Sequence, residues 1–115
     1  MTGITRTLSN LVSQVDRLQQ VYKANMHVGD WLIIKTCNSI YAMRSEESGC
    51  WLASGGWFDR KDVSPMRVRI NGCTWGGSAI KVDIAAACGL CLEFGNRLVT
   101  SPIRRIFLFP HGSWN

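Results

Sequence analysis

Charge is scarce in this chain: Asp, Glu, Lys and Arg make up only 18% of its 115 residues, against about 25% in an ordinary globular domain. With 46% hydrophobic residues, that composition excludes a charge-expanded disordered chain and leaves room for an apolar interface. Proline is scarce too, with 3 residues against 11 glycines. Proline-rich linkers are thereby excluded, and the glycines point to tight turns instead. No apolar run approaches the ~20 residues of a membrane-spanning helix. The longest, Ile84 to Leu92, is broken by Gly89. Residues 1–30 lack the apolar core of a secretion signal, so the expected location is cytoplasmic, with no membrane partner.

Catalytic vocabulary is thin. The chain has 2 histidines, His27 and His111, and neither neighbours a Ser, Cys or Asp cluster. The patterns G-x-S-x-G, H-E-x-x-H, G-x-G-x-x-G and the phosphate-binding P-loop are all missing, which removes the common hydrolase, metalloprotease and nucleotide-binding signatures. Acidic residues are scattered, so no carboxylate pair is suggested. The expectation is a protein that is not an enzyme and carries no cofactor.

The 5 cysteines are Cys37, Cys50, Cys73, Cys88 and Cys91. An odd count without a secretion signal argues against a disulfide framework, and they read as small buried apolar residues. Cys88-Gly89-Leu90-Cys91 has C-x-x-C spacing. A redox pair needs that spacing at a helix N-terminus, where the helix dipole lowers a thiol pKa. Here it follows an alanine run and enters an alternating stretch. A zinc site needs a second close pair of ligands, and none is present, so no metal is expected.

Periodicity is the main positive signal. Ile4, Leu8, Leu11, Val15, Leu18 and Tyr22 recur at alternating steps of four and three residues, with polar residues between them. This spacing predicts an amphipathic helix over residues 5–24. Its stripe packs either on the protein's own sheet or on a second subunit, so Leu8, Leu11, Val15, Leu18 and Tyr22 are self-association candidates. From Trp31 the pattern turns to β. Residues 31–36 (WLIIKT) are apolar on both faces, and residues 39–44, 50–54, 66–70, 79–84, 90–94, 97–101 and 103–109 read as further short strands, with a short return through 73–75. Asn71-Gly72 and Gly95-Asn96 read as hairpin turns, and Ala85-Ala86-Ala87 fits either a helical turn or a strand link. The longest irregular stretch, residues 55–65, is where a functional loop is expected.

The fold expected is therefore mostly β: one domain with a small barrel or sandwich of about seven short strands over residues 31–109, led by the N-terminal helix. An α+β arrangement is the alternative. The element order is similar to the layout of Sm-like and SH3-like barrels, a likeness of layout without a shared sequence motif.

The net charge of +5 is unevenly placed. Residues 1–59 hold five basic and five acidic groups; residues 60–115 hold eight basic and three acidic. Arg67 and Arg69 share one face of a strand, Arg104 and Arg105 open the last strand, and Trp57, Phe58 and Trp75 lie on glycine-rich turns. Arginine beside exposed aromatics suits a protein interface and equally a single-stranded nucleic-acid surface. The first expectation is a non-catalytic interaction module that forms a homo-oligomer. RNA or single-stranded DNA binding is the alternative, and a small-molecule or carbohydrate site at Trp57 and Trp75 is a third.

Overall fold

The computed structural model of the protein describes residues 19–76 and 79–111. Nine strands run through them: β1 (Gln20–Tyr22), β2 (Trp31–Thr36), β3 (Ile40–Ser45), β4 (Cys50–Gly55), β5 (Met66–Thr74), β6 (Ile80–Lys81), β7 (Ile84–Ala87), β8 (Cys91–Phe94) and β9 (Ile103–Phe109). One short helix, α1 (Gly56–Arg60), follows β4. Most of the expected helix, residues 5–18 with Leu8, Leu11, Val15 and Leu18, lies outside the described residues. Its C-terminal end is corrected: Gln20–Tyr22 is strand, and a 3-10 turn spans Lys23–Asn25. The apolar/polar spacing there suits either period. Val21 is buried between exposed Gln20 and Tyr22, an alternation of period two that places Val21 in the core.

The fold is mostly β. Strands β2, β3, β4 and β5 form an antiparallel meander, and β9 returns to pair with β2, so the sheet order is β6-β5-β4-β3-β2-β9, with β8 also on β5. The sheet curls into a half-barrel. At its ends Ile103 N–H donates to Leu90 O (2.8 Å) and Gly89 N–H donates to Ile103 O (2.8 Å), which brings the approach to β8 against the start of β9. The small antiparallel sheet β1-β7 lies over the open side, where β7 packs against β5, β8 and β9. All four residues of β7 are buried. That explains the alanine run: only small side chains fit where the backbone itself passes through the core.

Alternation fills the concave face. Leu32, Ile34, Tyr41, Met43, Trp51, Ala53, Val68 and Ile70 point inward and are buried. Helix α1 adds Phe58, which is completely buried, between Tyr41 (ring centroids 6.0 Å) and Phe94 (5.1 Å). Edge-on aromatic pairs of this kind add about 0.5–1.5 kcal/mol beyond burial. The chain reaches α1 through Gly55 at φ +89°, where a Cβ would strike Ile40 O; only glycine turns there. So the stretch 55–65 is not an open loop throughout: its first part is helix that plugs the core.

Asn71-Gly72 is likewise not a hairpin. Strand β5 runs straight through it for nine residues, pairing with β4 up to Arg69 and with β8 and β6 beyond. The register shifts between Ile70 and Gly72. At that bulge the Asn71 amide donates to Glu93 Oε2 (2.8 Å) and Phe94 O (3.2 Å). Asp30, just before β2, is buried, and its carboxylate accepts from His27 N–H (2.9 Å) and from His111 N–H (2.7 Å), just past β9.

Candidate anion site on the outer face

Strands β2 and β9 form the site. Their register is Trp31↔Phe109, Ile33↔Phe107 and Lys35↔Arg105 on the outer face, with Leu32↔Leu108 and Ile34↔Ile106 between them on the inner one. The ladder then slips: Thr36 pairs with Ile103, not Arg104. Arg104 is thus the extra residue of a β-bulge, the device by which a strand re-aims a side chain. Without it, consecutive residues would face opposite sides. With it, Arg104 and Arg105 are both exposed. Buried Ile103 and Ile106 on either side anchor the strand in the core.

The result is a recess of about 300 Å³ lined by Lys35, Thr36, Cys37, Arg104 and Arg105. Its rim is held by the β2–β3 turn. Thr36 Oγ1 accepts from Ser39 N–H (3.0 Å) and Asn38 N–H (3.3 Å), and Asn38 N–H also reaches Ser101 Oγ (3.2 Å). Arg104 Nη1 donates to Cys37 Sγ at 3.6 Å. Lys35 and Arg105 are direct cross-strand partners of like charge, an arrangement that disfavours the sheet. Among the described residues the ion pairs are His27–Asp30, Arg44–Glu46 and Arg67–Glu46. None of them compensates this trio, which presents three positive charges to solvent. One residue further along the same face lie half-buried Phe107 and Ile33, and beyond them Trp31.

The other expected site residues are dispersed. Arg67 sits on β5 and is held by Glu46 at 3.5 Å, a carboxylate that Arg44 also reaches at 3.5 Å. Following the register from Arg67 through Leu52, Arg44 and Trp31 leads to Phe109, so Arg67 is about 19 Å across the sheet and about 14 Å along it from Arg105. Arg69 is exposed on the same strand as Arg67. Phe58 is core and presents no ligand surface, a correction with a plain cause: α1 turns it inward. Trp57 is half-buried against Phe58, with ring centroids 5.3 Å apart. Trp75 is 65% exposed, with Lys81 Nζ 5.0 Å above its ring. Tyr22 is exposed on β1. The residues that sequence reasoning passed over are Lys35, Trp31 and Phe107. Their signal was the two-faced apolar character of residues 31–36, which marked a buried strand and hid an outer face.

None of the five cysteines is joined in a disulfide. Among the described residues no group of three or more His, Cys, Asp or Glu side chains is placed to hold a metal. No helix among them is long and apolar enough to cross a membrane. Comparison with protein-family models, with curated proteins and with solved structures found no match.

Proposed function

We propose that the protein is a non-catalytic binding module for single-stranded nucleic acid, using the outer face of β2 and β9. One observation carries the reading: the bulge that turns Arg104 and Arg105 outward together beside Lys35. Three uncompensated cations on a rigid sheet attract a phosphate backbone, and Phe107 and Trp31 on the next rows offer rings for base stacking. A cytoplasmic setting fits five cysteines without a disulfide among them.

Fluorescence anisotropy with a labelled oligouridylate of about 12 nucleotides tests it. Three neutralised phosphates give a slope of log K against log[salt] of about −2, at about −0.7 per phosphate on a single strand. Arg104→Gln with Arg105→Gln should weaken binding at least tenfold at low salt and flatten the slope to about −0.7. Arg67→Gln, remote and already paired, should change neither. Phe107→Ala should weaken binding with the slope unchanged. No binding at low salt, or a double variant equal to the parent, removes the proposal.

A second reading, self-association into a homo-oligomer, has its own observation. Among the described residues β9 ends the sheet beyond Ile103, and Ile106–Phe109 are apolar. An apolar strand edge is a template for another strand, here a second copy of the chain. The solution mass decides it.

A further inference from the structure

A second recess lies well away from Arg104 and Arg105. It is a cleft of about 590 Å³ between the turn after β1, the β3–β4 loop and the middle of β5. Its volume falls within the roughly 300–1,000 Å³ of small-molecule sites. Its apolar lining is Met26, Val28, Trp51 and Ile70; Val28 is 55% exposed, whereas Trp51 and Ile70 are each 4% exposed and show only their edges. Trp51 is too deeply set to offer its ring face to a sugar.

The rim is charged. Lys23 and Arg69 both line the cleft. Lys23 Nζ donates to Asn71 O at 3.3 Å, which uses one of three donors. Burial pulls its pKa below the usual 10.5, and the charges of Asp83 and the Cys73 thiol oppose that only in part. Arg69 Nη1 lies over Gly49, 3.4 Å from where a Cβ would stand. The one carboxylate on the rim, Glu46, is already held by Arg44 and Arg67. Two cations therefore line the cleft, Lys23 partly offset by Asp83 and Arg69 outside the ion pairs of the described residues.

We propose that this cleft binds a small amphipathic carboxylate, its carboxylate between Lys23 and Arg69 and its apolar body on Met26 and Val28. An uncharged molecule of the same shape would leave Arg69 without a counter-charge. A compact inorganic anion would leave the apolar lining wet. The site shares no residue with the nucleic-acid face, so each stands or falls alone.

Isothermal titration of the full chain with sodium octanoate, and separately with octanol, tests it. Octanoate should bind saturably at one site, and octanol should bind at least about tenfold more weakly. Arg69→Gln, on an exposed side chain whose loss leaves the core intact, should weaken octanoate by about tenfold and leave octanol unchanged. Lys23→Gln should do the same, and Arg105→Gln should have no effect on either. Absence of saturable octanoate binding overturns the proposal. So does equal affinity for octanol, or an Arg69→Gln protein that binds octanoate as the parent does.

Discussion

Cys73 shows how much a single buried side chain is decided by its surroundings. It is completely buried on β5, and burial pushes its thiol from the usual 9.0 up to about 11. The neighbouring Cys91 thiol pushes the same way, while a backbone hydrogen bond at Ala87 and the Lys23 charge pull back. The consequence has a definite sign. Below pH 9 the thiol is protonated in both folded and unfolded chains and contributes nothing to pH dependence. Above pH 9 the unfolded chain releases its proton and the folded one does not, so stability falls from pH 9 to about 11 and levels off beyond. The loss reaches about 3 kcal/mol. Thermal melts of the parent and Cys73→Ala at intervals between pH 8 and 11 should therefore converge as pH rises, since other titrations are common to both. A constant gap would mean that the thiol ionises alike in both states.

The same scale explains which site residues could be read from sequence. Arg104 and Arg105 stand out as adjacent charges opening a strand. Lys35 does not, because its partnership with Arg105 joins residues 70 positions apart and depends on strand register. Phe58 was misplaced for a related reason: the glycines before it mark a turn, but only the packed structure shows the turn pointing the ring into the core.

At the scale of elements, β5 is the informative case. Asn71-Gly72 carries the strongest local turn signal in the chain, yet the strand continues through it. Long-range pairing wins because both sides of the strand find partners, β8 on one and β6 on the other. Glycine is still required, for a different reason: at φ +148° a Cβ on Gly72 would collide with the Lys81 carbonyl. Gly72→Val should therefore push β6 off β5 and cost about 2 kcal/mol or more, as strain at special backbone positions does. Urea unfolding measures the loss, and hydrogen exchange should show Thr74 and Lys81 amides losing protection first. A variant as stable as the parent would mean that β6 sits further from β5 than described. Elsewhere, periodicity was a good guide. Strands β2, β3, β4, β8 and β9 fall within a residue or so of where alternation and turn residues place them. It failed at Gln20–Tyr22, where three residues are too few to separate a period of two from one of 3.6.

For the whole molecule, the question is what covers its apolar surface. A chain of 12.9 kDa has a modest core, since a domain of this size hides only about two thirds of its unfolded surface. The half-barrel reduces its edges by bringing Ile103 to Leu90, but among the described residues β9 is a terminal strand beyond that point. Two copies related by a two-fold axis would pair β9 with β9 antiparallel, and the same edge would serve both subunits. The flanking Arg104 and Arg105 would sit at opposite ends of such a ribbon, where their charges repel least. Sedimentation equilibrium of the full chain, and of a chain lacking residues 1–18, separates the two routes to a dimer. Every strand pairs within residues 19–111, so the shortened chain keeps the edge while losing the stripe of Leu8, Leu11, Val15 and Leu18. The edge reading expects twice the chain mass in both cases. A dimer that falls apart on shortening would assign the contact to that stripe. A full-length chain that stays at 12.9 kDa up to high micromolar concentration would remove self-association.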